Sequence, residues 1–152
     1  MTELISGMTT TANLGAQVPQ EDVTYAAGFF DGEGCILLYK TANHKTSTRY
    51  QFSVQVASVD KPSADWFQSK FGGYISIRKD PRPNHRVLYT WSLMASGARD
   101  FLAQLLPYLK LKKEQAELIL SVDMSPHKRL TLVDKEARDR VCQRLKELKW
   151  QK

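Results

Sequence analysis

Two carboxylates, Asp31 and Glu33, stand among small residues in the run Tyr25-Ala-Ala-Gly-Phe-Phe-Asp-Gly-Glu-Gly34. Ala26, Ala27, Gly28 and Gly32 leave one side of a helix nearly bare, so a second backbone can approach it closely. Acids at the C-terminal end of a helix face the negative pole of its macrodipole, an unfavourable place unless a cation offsets it. A metal ion held by oxygen ligands is one such cation. A helix closed by a glycine C-cap, with both acids in water, accounts for the same residues.

The basic residues lie elsewhere in the chain. Met1 to Gly34 carries five acids and no Lys or Arg, whereas Cys35 to Met94 has nine basic residues against three acids, and Lys110 to Lys152 twelve against seven. With a net charge of +6 and a pI near 9.4, this distribution suits a polyanionic partner, because Lys and Arg near phosphates release condensed counterions. Mild basicity also serves solubility, so charge alone points only weakly to nucleic acid.

Other chemistries find little support. His44, His85 and His127 fall in expected loops without metal-ligand spacing, and Cys35 and Cys142 make neither a disulfide framework nor a zinc site. No apolar run approaches the length of a membrane span, and Met1 to Gln20 has neither a basic n-region followed by an apolar stretch nor any Arg. The expectation is an intracellular, non-secreted protein. At 152 residues the chain has one domain's worth of core.

The elements that must position the acids can be read from periodicity. Helix 1 is expected from Asp22, as N-cap, to Asp31. A strand from Cys35 to Thr41, a polar turn Ala42 to Ser47 and a strand from Arg49 to Val59 follow. The second strand alternates Tyr50, Phe52, Val54 and Val56 with Arg49, Gln51, Ser53, Gln55 and Ala57. A helix from Pro62 to Phe71 is stopped by Gly72-Gly73, with Ala64, Phe67 and Phe71 at helical spacing. A second hairpin runs from Tyr74 to Lys79 and from Arg86 to Met94 around the turn Asp80-Pro-Arg-Pro-Asn84. Helical patterns return over Gly97–Leu106, Lys110–Val122 and Leu132–Leu148, separated by Pro107 and Pro126. Trp66, Trp91 and the Leu and Val positions of the last helix read as core.

The acid-bearing segment resembles the signature helix of the single-motif LAGLIDADG homing endonucleases. A second block, Phe101-Leu-Ala-Gln-Leu-Leu-Pro-Tyr-Leu-Lys-Leu-Lys-Lys-Glu-Gln-Ala116, resembles the Leu-x-Pro-aromatic-Leu-x-x-Lys-Lys-x-Gln-Ala stretch after that family's second hairpin. The resemblance spans Val23 to Lys149. It implies an α+β fold of order αββαββα, with a four-stranded antiparallel DNA-binding sheet and extra C-terminal helices. Residues 1–20 are expected to be a flexible tail and 21–152 a single endonuclease domain.

What the resemblance implies about function is specific. The expected activity is site-specific double-strand cleavage of a long, near-palindromic DNA by metal-dependent phosphodiester hydrolysis, carried out by a homodimer. Glu33 and the Gly32 carbonyl are expected to hold Mg²⁺, with two or more divalent ions shared at the dimer interface. Lys112 is expected near the scissile phosphate, exposed in the free protein, and Asp60 near the attacking water. Where some relatives carry a second basic residue this chain has Ala64, for which Lys61 is a weak substitute. Asp31 is expected to buttress the turn. Ala27, Gly28 and Gly32 would form the helix crossing between two copies, since one chain has one acid motif and two strands must be cut.

The polar sheet face is where DNA would be read, because a two-stranded ribbon fits the major groove. Its residues are Leu37, Tyr39, Thr41, Arg49, Gln51, Ser53 and Gln55 from the first hairpin, and Ser76, Arg78, Arg86 and Thr90 from the second. A solvent-facing antiparallel sheet shows the same alternation. The alternative to an enzyme is a non-cleaving nucleic-acid-binding protein of the same fold, either an intron RNA maturase or a DNA-binding regulator.

Overall fold

The structure, a computed structural model, describes residues 18–41, 49–124 and 130–150. The expected tail up to residue 17, the whole of the turn Ala42 to Ser47 with His44, and Pro126 and His127 lie outside the described residues.

Helix α1 spans Gln20–Glu33. It starts two residues before the expected Asp22 because Pro19, with φ −54°, takes the N-cap position and its carbonyl accepts from the Asp22 and Val23 amides at 3.0 Å. Asp22 instead lies in the first turn, where its charge suits the dipole, and pairs at 3.1 Å with Lys70 in the last turn of the next helix. At the other end α1 runs to Glu33, so both acids belong to its last turn.

Strands β1 (Gly34–Thr41) and β2 (Arg49–Ser58) pair antiparallel, with Ile36 opposite Val54 and Tyr39 opposite Gln51. Helix α2 (Lys61–Phe71) follows, then β3 (Tyr74–Arg78) and β4 (Leu88–Met94). The sheet has four strands in the order β1-β2-β4-β3, all neighbours antiparallel. The second hairpin is shorter than expected, and Arg86 lies in the connection before β4. Helix α3 (Ala95–Leu105), a 3₁₀ turn at Leu106–Tyr108 over Pro107, α4 (Lys113–Leu120) and α5 (Leu132–Trp150) complete the chain. The αββαββα order with extra C-terminal helices is therefore the observed one. Among the described residues no helix is long and apolar enough to cross a membrane.

Period-two alternation makes the sheet two-faced. Ile36, Phe52, Val54, Val56, Trp91 and Leu93 are buried on one side. There they meet Phe30 of α1, Phe67 of α2 and Phe101 of α3, all fully buried. The rings stack edge-on or tilted, as in Phe30–Phe101 at 5.4 Å and Phe67–Trp91 at 4.9 Å between centroids. Trp91 satisfies its indole N–H on the Gly72 carbonyl at 2.7 Å. Glycine is required at 73: φ is +90°, and a Cβ would stand 2.4 Å from the Ser92 carbonyl oxygen. Val141 and Leu145 of α5 join the core as expected, while Leu132 and Val133 at its start are exposed.

Two arginines, Arg138 buried and Arg99 half-buried, close the C-terminal elements. Arg99 donates to the carbonyls of Leu120 (2.8 Å), the last residue of α4, and Val122 (3.0 Å), and Arg138 donates to the Asp123 carbonyl. The α5 segment also meets the first hairpin through Asp139, whose carboxyl is held below the usual range by the Tyr50 hydroxyl and by Lys40. Burial, then Asp139, pushes the Tyr50 phenol up. Burial likewise raises the Cys142 thiol.

Candidate active site and nucleic-acid interface

The last turn of α1 leaves carbonyls without intrahelical donors, and each must find one elsewhere. Gly34 N–H bonds the Phe30 carbonyl, and the Lys112 ammonium bonds the Asp31 carbonyl at 2.6 Å. Lys112 thus places a positive charge at the negative pole of α1, which is the cation that the two acids of this turn need. It is half-buried and not the exposed side chain expected from sequence. The Asp31 carboxylate accepts the backbone N–H of Lys110 at 2.7 Å through Oδ2 and that of Lys112 at 3.0 Å through Oδ1. Asp31 is therefore a buttress, and it joins the two motifs across the fold.

Glu33 contrasts with it. Its side chain is exposed and makes no hydrogen bond or ion pair with any described residue. Together with the Gly32 carbonyl it offers hard oxygen donors, the set that suits Mg²⁺ or Ca²⁺. Among the described residues no group of three or more His, Cys, Asp or Glu converges, so one chain presents part of a coordination sphere. The Gly34 position after it admits no side chain, because a Cβ would fall 2.1 Å from the Phe30 ring.

One face of α1 is open. Gly28 and Gly32 are exposed, and a Cβ built on either meets nothing within 4 Å among the described residues. None of those residues requires glycine there. Ala27, expected at the same crossing, is instead fully buried, as is Ala26: both lie on the side of α1 that packs against its own core. The interface expectation contracts to Gly28 and Gly32.

Asp60 is the N-cap of α2. Its Oδ2 accepts from the Ser63 amide at 3.2 Å and the Ser63 hydroxyl at 2.7 Å, a role the Asp60-x-x-Ser63 spacing before Pro62 could have announced. Lys61 pairs with Asp65 at 2.8 Å, and Ala64 is buried in the core. Position 64 thus offers no basic side chain, and Lys61 is exposed one turn before Asp65.

The register places Leu37, Tyr39, Thr41, Arg49, Gln51, Ser53, Gln55, Thr90, Ser76 and Arg78 on the sheet face opposite the helices. Tyr39, Thr41, Arg49, Gln51, Ser76 and Arg78 are exposed, and Leu37, Gln55 and Thr90 half-buried. Ser53 departs from expectation. It is 6% exposed, in the middle of the sheet between Leu37 and Met94, where longer side chains overtop a hydroxymethyl group. In the turn after β3, Arg82 is held bidentate by Asp80, with His85 at 3.3 Å from the same carboxylate. Arg86 is exposed beside that turn.

Comparison with known proteins agrees with this geometry. The chain is 31% identical over 103 residues to the DNA endonuclease I-CreI of Chlamydomonas reinhardtii, a match covering 68% of this chain and 63% of that protein. The fold is similar to that of the homing endonuclease I-CvuI in complex with its target, with a TM-score of 0.71 at 21% identity over 88% of this chain and 85% of that one. It is also similar to the archaeal intron-encoded homing endonuclease I-Vdi141I complexed with DNA, with a TM-score of 0.65 at 14% identity over 86% of each chain. The family profile described as LAGLIDADG endonuclease matches residues 26–113, from the small-residue helix through Lys112. The chain belongs to the LAGLIDADG endonuclease family.

Proposed function

We propose that this protein is a homing endonuclease that makes site-specific double-strand breaks in a long, near-palindromic DNA as a homodimer. The observation that carries the reading is Glu33, an exposed carboxylate with no partner among the described residues, at the end of a helix whose Gly28 and Gly32 face is open. Two copies crossing at those glycines would bring two such acids together, one for each scissile phosphate, and a two-fold axis would impose a near-palindromic target. Residues 21–152 would act as one domain.

Glu33 and the Gly32 carbonyl would hold Mg²⁺ at each of the two sites. Divalent ions bound there would supply positive charge that makes water nucleophilic and stabilises the leaving 3′-oxygen. Lys112 would offset phosphate charge from the foot of α1. Asp60 would order water through Oδ1, which accepts no hydrogen bond from a described residue, while Oδ2 caps α2. The polar face would enter the major groove, with Tyr39, Gln51, Gln55, Arg78 and Thr90 facing base edges and Thr41, Arg49, Ser76 and Arg86 toward its margins and phosphates.

Glu33→Gln tests the reading, since it preserves size and removes a metal-binding charge. The expected result is loss of cleavage in Mg²⁺ with DNA affinity retained. Cleavage at the wild-type rate would remove Glu33 from the metal site, and binding without cleavage by the wild type would make the protein a recognition module.

A further inference from the structure

The sheet has a free edge at β1, and helix α5 runs along it. At one end of that edge Lys40 and Tyr50 face each other in the register. Asp139 of α5 accepts from the Tyr50 hydroxyl at 2.6 Å and pairs with the Lys40 ammonium at 3.0 Å. The Tyr50 hydroxyl is also 3.3 Å from the Lys135 carbonyl, and the Arg138 guanidinium lies 5.4 Å above the Tyr50 ring. At the other end the Lys149 ammonium donates to the Ile36 carbonyl and stands 3.8 Å from the Cys35 sulfur. From Asp139 to Lys149 is roughly 15 Å of helix. From Lys40 to Ile36 is roughly 13 Å of strand. The spans match, so α5 lies antiparallel to β1 and holds it at both ends.

We propose that α5 is a strap that sets how the β1–β2 hairpin enters DNA, with Tyr50, Asp139 and Lys149 as positioning residues for sequence readout by Tyr39 and Gln51. Strands twist and coil easily, and a hydrogen bond to a base edge weakens steeply when its geometry slips. Tyr39 and Gln51 are themselves a register pair, one step along the hairpin from the Lys40–Tyr50 anchor. Their side chains emerge on the opposite face from Tyr50, so α5 acts on them through the backbone. The strap also occupies an unpaired strand edge that would otherwise invite pairing with another chain.

This inference rests on the sheet reading DNA, and the experiment separates the two. DNA sites would be selected from a randomised library by wild-type protein, and the base pairs read by each hairpin would be mapped with Gln51→Ala and Arg78→Ala. In Lys149→Met and Tyr50→Phe, preference at the Gln51-dependent base pairs should fall about tenfold, while preference at the Arg78-dependent pairs should change by less than about twofold. Lys149→Arg, which keeps a donor for the Ile36 carbonyl, should restore the pattern. Tyr50→Phe keeps the ring beneath Arg138 and removes only the hydroxyl contacts, so it remains informative where Lys149→Met fails to fold. Equal losses at every base pair, or unchanged preference in both variants, would overturn the strap. A wild-type protein that enriches no sequence at all would overturn the DNA reading itself.

Discussion

Asp31 and Lys112 are joined twice: the Asp31 carboxylate accepts the Lys112 backbone amide at 3.0 Å, and the Lys112 ammonium donates to the Asp31 carbonyl at 2.6 Å. This couples the end of α1, immediately before Gly32-Glu33, to the start of α4. Asp31→Asn should lower stability by about 1.5–3 kcal/mol, the range for hydrogen bonds to a charged group. It should also slow cleavage, because Glu33 follows in the same turn. Thermal unfolding and single-turnover cleavage measured together check this; unchanged stability would separate Asp31 from the buttress.

Lys112→Met should slow cleavage more than it lowers stability. The ammonium bonds the Asp31 carbonyl in a part-buried setting, so the folding cost should be about 1.5 kcal/mol, while loss of its charge beside phosphate would act on the reaction itself. Single-turnover rates at saturating DNA decide the matter. A rate equal to wild type would leave Lys112 a purely structural cap of α1.

Gly28→Leu should give folded monomers. A Cβ at position 28 meets nothing within 4 Å among the described residues, and replacing glycine in a helix removes an intrinsic penalty of about 0.8–1.0 kcal/mol relative to Ala. The substitution is therefore harmful only if another backbone packs there. Sedimentation and helical circular dichroism would be read side by side, and a variant that still dimerises and cuts both strands would place the crossing elsewhere.

Gln51 and Arg78 should carry sequence preference, each good bidentate contact contributing about 1–3 kcal/mol of discrimination. Ser53→Ala should change preference far less, since Ser53 is nearly buried within the sheet. Profiles of cleaved sites test both halves. A uniform loss of affinity with a shallower salt dependence would mark Gln51 and Arg78 as phosphate contacts.

The Tyr50–Asp139–Lys40 cluster makes a pH prediction. The Asp139 carboxyl is held below its ordinary value by the Tyr50 hydroxyl first and Lys40 second, so its contribution is complete above the unfolded value of about 3.9 and is lost as pH falls through the lower folded value. Melting temperatures of wild type and Asp139→Asn should differ by a constant amount above about pH 5 and converge below about pH 4. A gap that persists into that acid range would mean the stabilisation does not depend on the Asp139 charge.

The sequence by itself determined what depends on near neighbours. Alternation in Arg49–Ser58 set which side chains face the core, Gly72-Gly73 stopped α2 through positive φ, and Gly28 and Gly32 stayed bare because a helix places residues four apart on one side. The paired motifs identified the family and the order of elements. The tertiary structure decided what depends on distant partners or on crowding. Asp31 lies 79 and 81 residues from the amides it accepts, so its buttressing bonds exist only once α1 and the Lys110–Lys112 turn have docked. Ser53 and Ala27 carry the right residue types for a surface, and packing buries both. Asp60 was expected beside the attacking water, although its spacing to Ser63 already allowed a cap, whereas α5 found its place beside the first hairpin through Lys149 and Asp139, contacts that span 113 and 89 residues and leave no periodic trace in the chain.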